Sequence, residues 1–201
     1  MLIRVLEPEV MDTPQEAEDY DCMNHAEVNR RFVQDFLTFV GGENSDPIET
    51  LLDVGTGTAQ IPIEFCRQHP VGTITAIDLS QEMLKLGRKN VAAAGFTERI
   101  RLELIDAKKQ PYAAGQFQAV ISNSIIHHIP EPLGVFAEMK RVLQPGGALF
   151  VRDLLRPNDE TTLDQLVQTY AGQENAHQRQ MFRDSLHAAL SLEEVRGMLV
   201  Q

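Results

Sequence analysis

The chain has 201 residues, with 18 basic and 29 acidic side chains and a formal net charge of −11. That length suits one domain with a sizeable core, and the acidic balance argues against charge-driven binding to nucleic acid or anionic lipid. No tryptophan and 6% aromatic residues leave no stacking platform for bases.

Other broad features point the same way. Cys22 and Cys66 stand apart, with no C-x-x-C pair, as reduced thiols do. The first residues lack an apolar signal core, and no apolar run reaches membrane-spanning length. A cytoplasmic protein is expected, with no membrane and no nucleic-acid partner.

Residues 1–45 read as an N-terminal helical cap. Met1 to Pro14 is polar and punctuated by proline, so it reads as extended. From Asp19, the residues Val28, Phe32, Phe36, Leu37 and Val40 recur at helical spacing until Gly41-Gly42. Such an amphipathic helix packs on a sheet or over its rim. It carries Tyr20-Asp21 and Asn24-His25, which suit either a lid over a ligand or a solvated face.

Residues 46–153 carry the organising pattern. The apolar run Leu51 to Val54 breaks at Gly55-Thr56-Gly57 and continues into an amphipathic segment from Gln60. This order reads as a buried parallel strand, a tight loop and a helix. Glycines at 55 and 57 permit positive φ and a close ligand, and the helix start is expected to offer free amides. The dinucleotide pattern G-x-G-x-x-G fails at Gln60, and no phosphate-loop lysine follows. Asp53, at the strand's end, would repel a pyrophosphate but suits an ammonium group.

The second strand reads from Gly72 to Leu79, with Asp78 at its end, 25 positions after Asp53. A carboxylate so placed hydrogen-bonds the ribose hydroxyls of a nucleoside. Ser80 caps a helix running to Gly95, in which Met83 reads as core. The third strand, Ile100 to Ile105, leads to Asp106, whose carboxylate can accept from an exocyclic amine. The fourth strand is Phe117 to Asn123. Ser124-Ile125-Ile126-His127-His128-Ile129-Pro130 follows. The paired histidines lack a third metal ligand at a usual spacing, so no metal is expected; either His127 or His128 is a general-base candidate or part of a helix-entry turn. A helix over Leu133–Leu143 stops at Pro145-Gly146-Gly147, before a fifth strand, Ala148–Val151. Residues 154–201 are helical by period, from Leu163 to Leu190, and Ser191 to Glu194 has a capping-box pattern.

The stretch Asp53-x-Gly55-x-Gly57-x-Ala59 resembles motif I of the class I S-adenosylmethionine-dependent methyltransferases, with alanine at the third glycine. The likeness runs from Leu51 to Asp153 and includes the Leu143-Gln144-Pro145-Gly146-Gly147 turn. It implies a single α/β domain, a doubly wound, mostly parallel sheet of order 3-2-1-4-5, with the N-terminal cap and C-terminal helices around it. The cofactor implied is S-adenosyl-L-methionine. Asp53, Gly55, Thr56 and Gly57 would hold its amino-acid end, Asp78 and Leu79 its ribose, and Asp106 and Ala107 its adenine. Asn123 and Ser124 would lie beside the methyl group, and Tyr20 on a closing helix. The activity implied is in-line methyl transfer to a small-molecule acceptor. Alternatives are a cofactor-binding protein without activity and a nicotinamide-dependent reductase. Family domains continue into a further strand pair, which this chain lacks, so association of two copies through the strand-five edge is expected.

Overall fold

The structure is a computed structural model that describes residues 2–41, 47–70 and 72–199. It divides into two compact units. The larger comprises residues 11–123 and 134–152, and the smaller comprises residues 2–10, 124–133 and the described part of 153–201. The expected boundary between residues 45 and 46 lies outside the described residues.

The larger unit is built on five parallel strands: β1 Thr50–Val54, β2 Thr73–Asp78, β3 Ile100–Leu104, β4 Phe117–Asn123 and β5 Leu143–Arg152. Their order is β3-β2-β1-β4-β5, the order the family resemblance implies. The reversal on either side of β1 opens a crevice at the carboxyl ends, where such sheets bind ligands. Parallel strands buried on both faces read as continuous apolar runs, which is why β1, β2 and β4 were legible. Register places Leu51 beside Ile74 and Ala119, and Asp53 beside Ala76 and Ile121.

Helices flank this sheet: α1 Pro14–Cys22, α2 Ala26–Phe39, α3 Gln60–Gln68, α4 Gln81–Ala94 and α5 Leu133–Val142. Phe32, Val33 and Phe36 of α2 and Phe65 of α3 join Leu51, Ile74, Ala119 and Ile121 in one buried cluster. Leu52, Val54, Ile77 and Val120 are as fully buried, and they belong to the opposite face by strand alternation. Helix α4 starts where Ser80 Oγ accepts the Met83 N–H and ends at Gly95 in the left-handed region. Gly87 within it allows a close approach. A Cβ there would lie 3.3 Å from Leu102 Cδ1 and 3.4 Å from Ala59 Cβ.

Three expectations need correction. The single helix from Asp19 is two helices, broken at Met23 to His25. Its true start is a capping box, Thr13 with Glu16, followed by Pro14 at the first turn. Val28 is 52% exposed, so the buried stripe begins at Asn29 and Phe32. The fifth strand begins at Leu143, because α5 ends at Val142 and the chain pairs with Phe117 before its register shifts. Gly42, expected to stop α2, lies outside the described residues. On the β5 side of the sheet, no further strand pairs with β5 among the described residues.

The smaller unit holds α6 Glu160–Ala171, α7 Ala176–Ala188, α8 Leu192–Leu199 and a 3₁₀ turn at Ile126–His128. Ser191 and Glu194 form the expected capping box at α8. Leu190, expected on a helix face, instead bridges to Leu155, and Tyr170 is exposed. No helix among the described residues is long and apolar enough to cross a membrane.

The aromatic cluster is the test of this core. The Phe36 ring lies 6.1 Å from Phe65 and 5.7 Å from Phe150, centroid to centroid. Phe36→Ala is expected to cost about 3–5 kcal/mol, read as a lower denaturant midpoint. A loss below about 1 kcal/mol would contradict this packing.

Candidate functional site

The loop after β1 folds onto the end of β2. Gly55 N–H and Thr56 N–H both donate to the Ile77 carbonyl at 2.9 Å, and Gly57 N–H donates to Asp78 Oδ2 at 2.7 Å. Ala59 N–H donates to the Thr56 carbonyl. The amides of Gly55, Thr56 and Gly57 are therefore taken up by the end of β2. What the loop offers a ligand is close approach, with Gly57 at φ +56° and Tyr20 Cε1 3.5 Å from where a Cβ would lie. Ala59, in the family's third glycine position, still takes φ +63°. Such a conformation costs an alanine about 1–2 kcal/mol, offset in part by burial of its methyl group.

Asp53 is the unusual group. It is 1% exposed, and its Oδ2 makes no hydrogen bond among the described residues. Burial pushes its carboxyl up to about 7; the Thr56 hydroxyl favours the charged form, and the Asp78 charge opposes it. Thr56 Oγ1 completes no hydrogen bond of sound geometry among the described residues. An unpaired buried carboxylate is costly, so this position suits a cationic ligand group that reaches it.

Asp78 is better supplied. Its Oδ1 accepts the Ser80 N–H at 2.8 Å and its Oδ2 the Gly57 N–H. Each carboxylate oxygen retains acceptor capacity for further hydroxyls. Burial raises the Asp78 pKa, opposed by the amides of Ser80, Gly57 and Leu79. Leu79, next in the chain, is 40% exposed.

Tyr20 comes over this loop from α1. Burial raises its hydroxyl to about 12, reinforced by the charges of Asp78, Asp53 and Asp21. The His25 ring packs against it at a tilt of 37°, with ring centroids 4.8 Å apart. Sequence reasoning missed what latches α1 down. Gln60 Nε2 and Asn90 Nδ2 donate to Asp21 Oδ1 at 3.1 and 2.8 Å. Asn29 Nδ2 donates to Gln60 Oε1 at 3.1 Å. Gln60, where the dinucleotide pattern fails, thus ties α1 and α2 to the start of α3. Met83 is buried, as expected of core.

The remaining residues stand further along the chain. Ile105 N–H donates to the Asp78 carbonyl, which carries β3 toward Asp106. Asp106 Oδ1 accepts the Lys108 N–H at 2.9 Å, and Ala107 accepts from Gln110 Nε2. Asn123 ends β4, level with Arg152 of β5. Ser124 belongs to the smaller unit and takes φ +58°. A groove of about 480 Å³, lined by Asp21, His25, Asn29, Gln60 and Asn90 among others, does not include Asp53 or Asp78.

Both histidines lie in the smaller unit. His127 is 2% exposed, with Nδ1 2.5 Å from Asp153 Oδ1 and Nε2 3.5 Å from Glu7 Oε1. Burial holds His128 down to about 4, with the charge of His127 acting in the same direction. Asp153 and Glu7 were not singled out from sequence; nothing in the spacing connects residue 7 to residue 127.

Asp53 gives a pH signature. Its pKa is about 7 against an ordinary 3.8, so the folded chain binds more protons than the unfolded chain between those values. Stability from this group is present at low pH and falls as pH rises through that window, by on the order of 4 kcal/mol. Asp53→Asn is expected to flatten that fall and to raise stability at pH 8, measured by denaturant unfolding. An unchanged pH profile would contradict the burial of this charge.

The Methyltransferase domain family matches residues 52–151. A demethylmenaquinone methyltransferase of Symbiobacterium thermophilum is 28% identical over 142 residues, covering 70% of this chain and 57% of that protein. A malonyl-[acyl-carrier protein] O-methyltransferase of Geobacter sulfurreducens is 30% identical over 185 residues, covering 92% of this chain and 65% of that protein. The chain thus spans less than two thirds of the length of these curated relatives. The crystal structure of the plantazolicin methyltransferase BpumL in complex with SAH shares the fold, with a TM-score of 0.71 at 16% identity over 93% of this chain and 69% of that one. Motif, sheet order and family match agree, and the chain belongs to the class I S-adenosylmethionine-dependent methyltransferases.

Proposed function

We propose that this chain binds S-adenosylmethionine on the larger unit and transfers its methyl group to a small-molecule acceptor in the cytoplasm. The observation that carries the reading is the pair of carboxylates, Asp53 and Asp78, at the ends of neighbouring strands beneath Tyr20, with one Asp53 oxygen unpartnered. When bound, S-adenosylmethionine supplies a methyl group activated by a sulfonium sulfur. Asp53 would face its ammonium group, Asp78 its ribose hydroxyls, and Asp106 with Ala107 its adenine. Gly57 admits the ligand closely, and Tyr20 excludes water from above the loop.

Methyl transfer of this kind needs positioning more than acid or base chemistry, and positioning alone is worth roughly 7–11 kcal/mol in ideal cases. The histidines support that view. His127 has a carboxylate at each ring nitrogen, and a His128 held to about 4 is a weak proton acceptor at neutral pH. The relatives named above act on demethylmenaquinone and on malonyl-[acyl-carrier protein] by their names, and both acceptor types belong in the first screen.

Calorimetry with S-adenosylmethionine or S-adenosylhomocysteine is expected to give micromolar binding, roughly 8 kcal/mol. Asp78→Ala should weaken it at least tenfold, since charge-assisted hydrogen bonds contribute about 1.5–3 kcal/mol each. No heat and no thermal shift at millimolar ligand would overturn the cofactor reading. Binding without methyl transfer to any component of a labelled-donor metabolite screen would overturn the enzymatic one.

A further inference from the structure

The cluster around His127 contains a contact that hydrogen bonding alone leaves unresolved. His127 Nδ1 lies 2.5 Å from Asp153 Oδ1, and its Nε2 lies 3.5 Å from the carboxylate oxygen Glu7 Oε1. The same Glu7 oxygen lies 3.3 Å from His128 Nδ1 and makes no hydrogen bond among the described residues. Its other oxygen, Oε2, is engaged by the Ser185 hydroxyl at 3.3 Å.

We propose that Glu7 Oε1, His127 Nε2 and His128 Nδ1 form a binding site for a divalent transition ion of the zinc type. One donor atom from each of Glu7, His127 and His128 lies within 4.8 Å of the other two. Donors bound tetrahedrally at about 2.0–2.1 Å sit about 3.3–3.4 Å apart, close to the 3.3 and 3.5 Å separations of the two nitrogens from Glu7. Two imidazoles and one carboxylate are a zinc-type donor set that leaves a fourth position for water or an exogenous ligand.

The surroundings are those of a supported metal site. Asp153 Oδ1, 2.5 Å from His127 Nδ1, would orient the ring of a ligating His127, as carboxylates behind ligating histidines do. Asp153 is itself held, accepting the Ile126 and Leu154 N–H groups at 2.6 Å each. Arg4 brings residue 7 to the turn by donating to the carbonyls of His127, Ile129, Pro130 and Ala188. The carboxylates of Glu7 and Asp153 exceed the Arg4 charge, which favours a cation. One existing contact is given up. His128 Nδ1 lies 3.4 Å from the Pro8 carbonyl, and ligation requires its proton to move to Nε2.

The test uses the full chain, stripped with chelator and titrated with Co²⁺ and then Zn²⁺ alone. One equivalent of Co²⁺ is expected to bind with a dissociation constant at or below about 10 μM, with the intense visible bands of a four-coordinate ion, and Zn²⁺ should displace it. Glu7→Gln, which preserves shape, and His128→Ala should each weaken binding at least tenfold. Asp153→Asn should weaken it about 10–100-fold, and His177→Ala should leave it unchanged. Absence of stoichiometric binding to the wild-type chain would overturn the proposal. So would full affinity in folded Glu7→Gln, or ¹⁵N NMR showing that His127 keeps both ring protons in the presence of Zn²⁺, which would make it a charged bridge between two carboxylates.

Discussion

A carboxyl group in the middle of an apolar parallel sheet is the constraint on which this site depends. Asp53 sits on the central strand between Ala76 and Ile121, where water cannot reach to solvate a charge. Its position in the register is fixed by the same alternation that buries Leu51 and exposes neither to solvent. Left alone, the group holds its proton until about neutral pH. The chain therefore carries a destabilising charge at the place where a cationic ligand group would relieve it, a common arrangement at binding sites.

The loop above is organised by its own strand ends. Ile77 and Asp78 of β2 take up the amides of Gly55, Thr56 and Gly57, so the glycine turn is tied to the neighbouring strand. Asp78 then has two tasks, holding Gly57 and presenting its remaining lone pairs at the rim. The cover is tied down separately. Asp21 gathers Gln60 and Asn90, setting Tyr20 over Gly57. This coupling makes α1 and the first turn of α3 one hydrogen-bonded assembly.

Much of the sheet could be read from residues alone. Buried parallel strands leave uninterrupted apolar runs, and a capped helix with a C-terminal glycine, as in Ser80 to Gly95, leaves clear boundaries. Asp53, Gly57 and Asp78 were legible because a strand–glycine–helix pattern fixes where its polar residues fall. The α1 start was also written in the sequence, as Thr13-Pro14-Gln15-Glu16, but the prolines of residues 1–14 masked it as an extended segment. The fate of the loop amides was not legible, since it depends on the Ile77 carbonyl and the Asp78 carboxylate of the neighbouring strand. Nor was the meeting of Glu7 with His127 and His128, which relies on Arg4 collecting carbonyls from distant segments.

The central claim is that Asp53 is a buried acid completed by its ligand, and carboxyl-detected ¹³C NMR of that side chain tests it most directly. A pH titration of the free chain should give a midpoint near 7, and saturation with S-adenosylhomocysteine, which carries the ammonium group, should move it below about 5, as expected for a carboxylate that gains an opposite charge within contact. A midpoint near 4 in the free chain, or one that ligand leaves unmoved, would contradict the account.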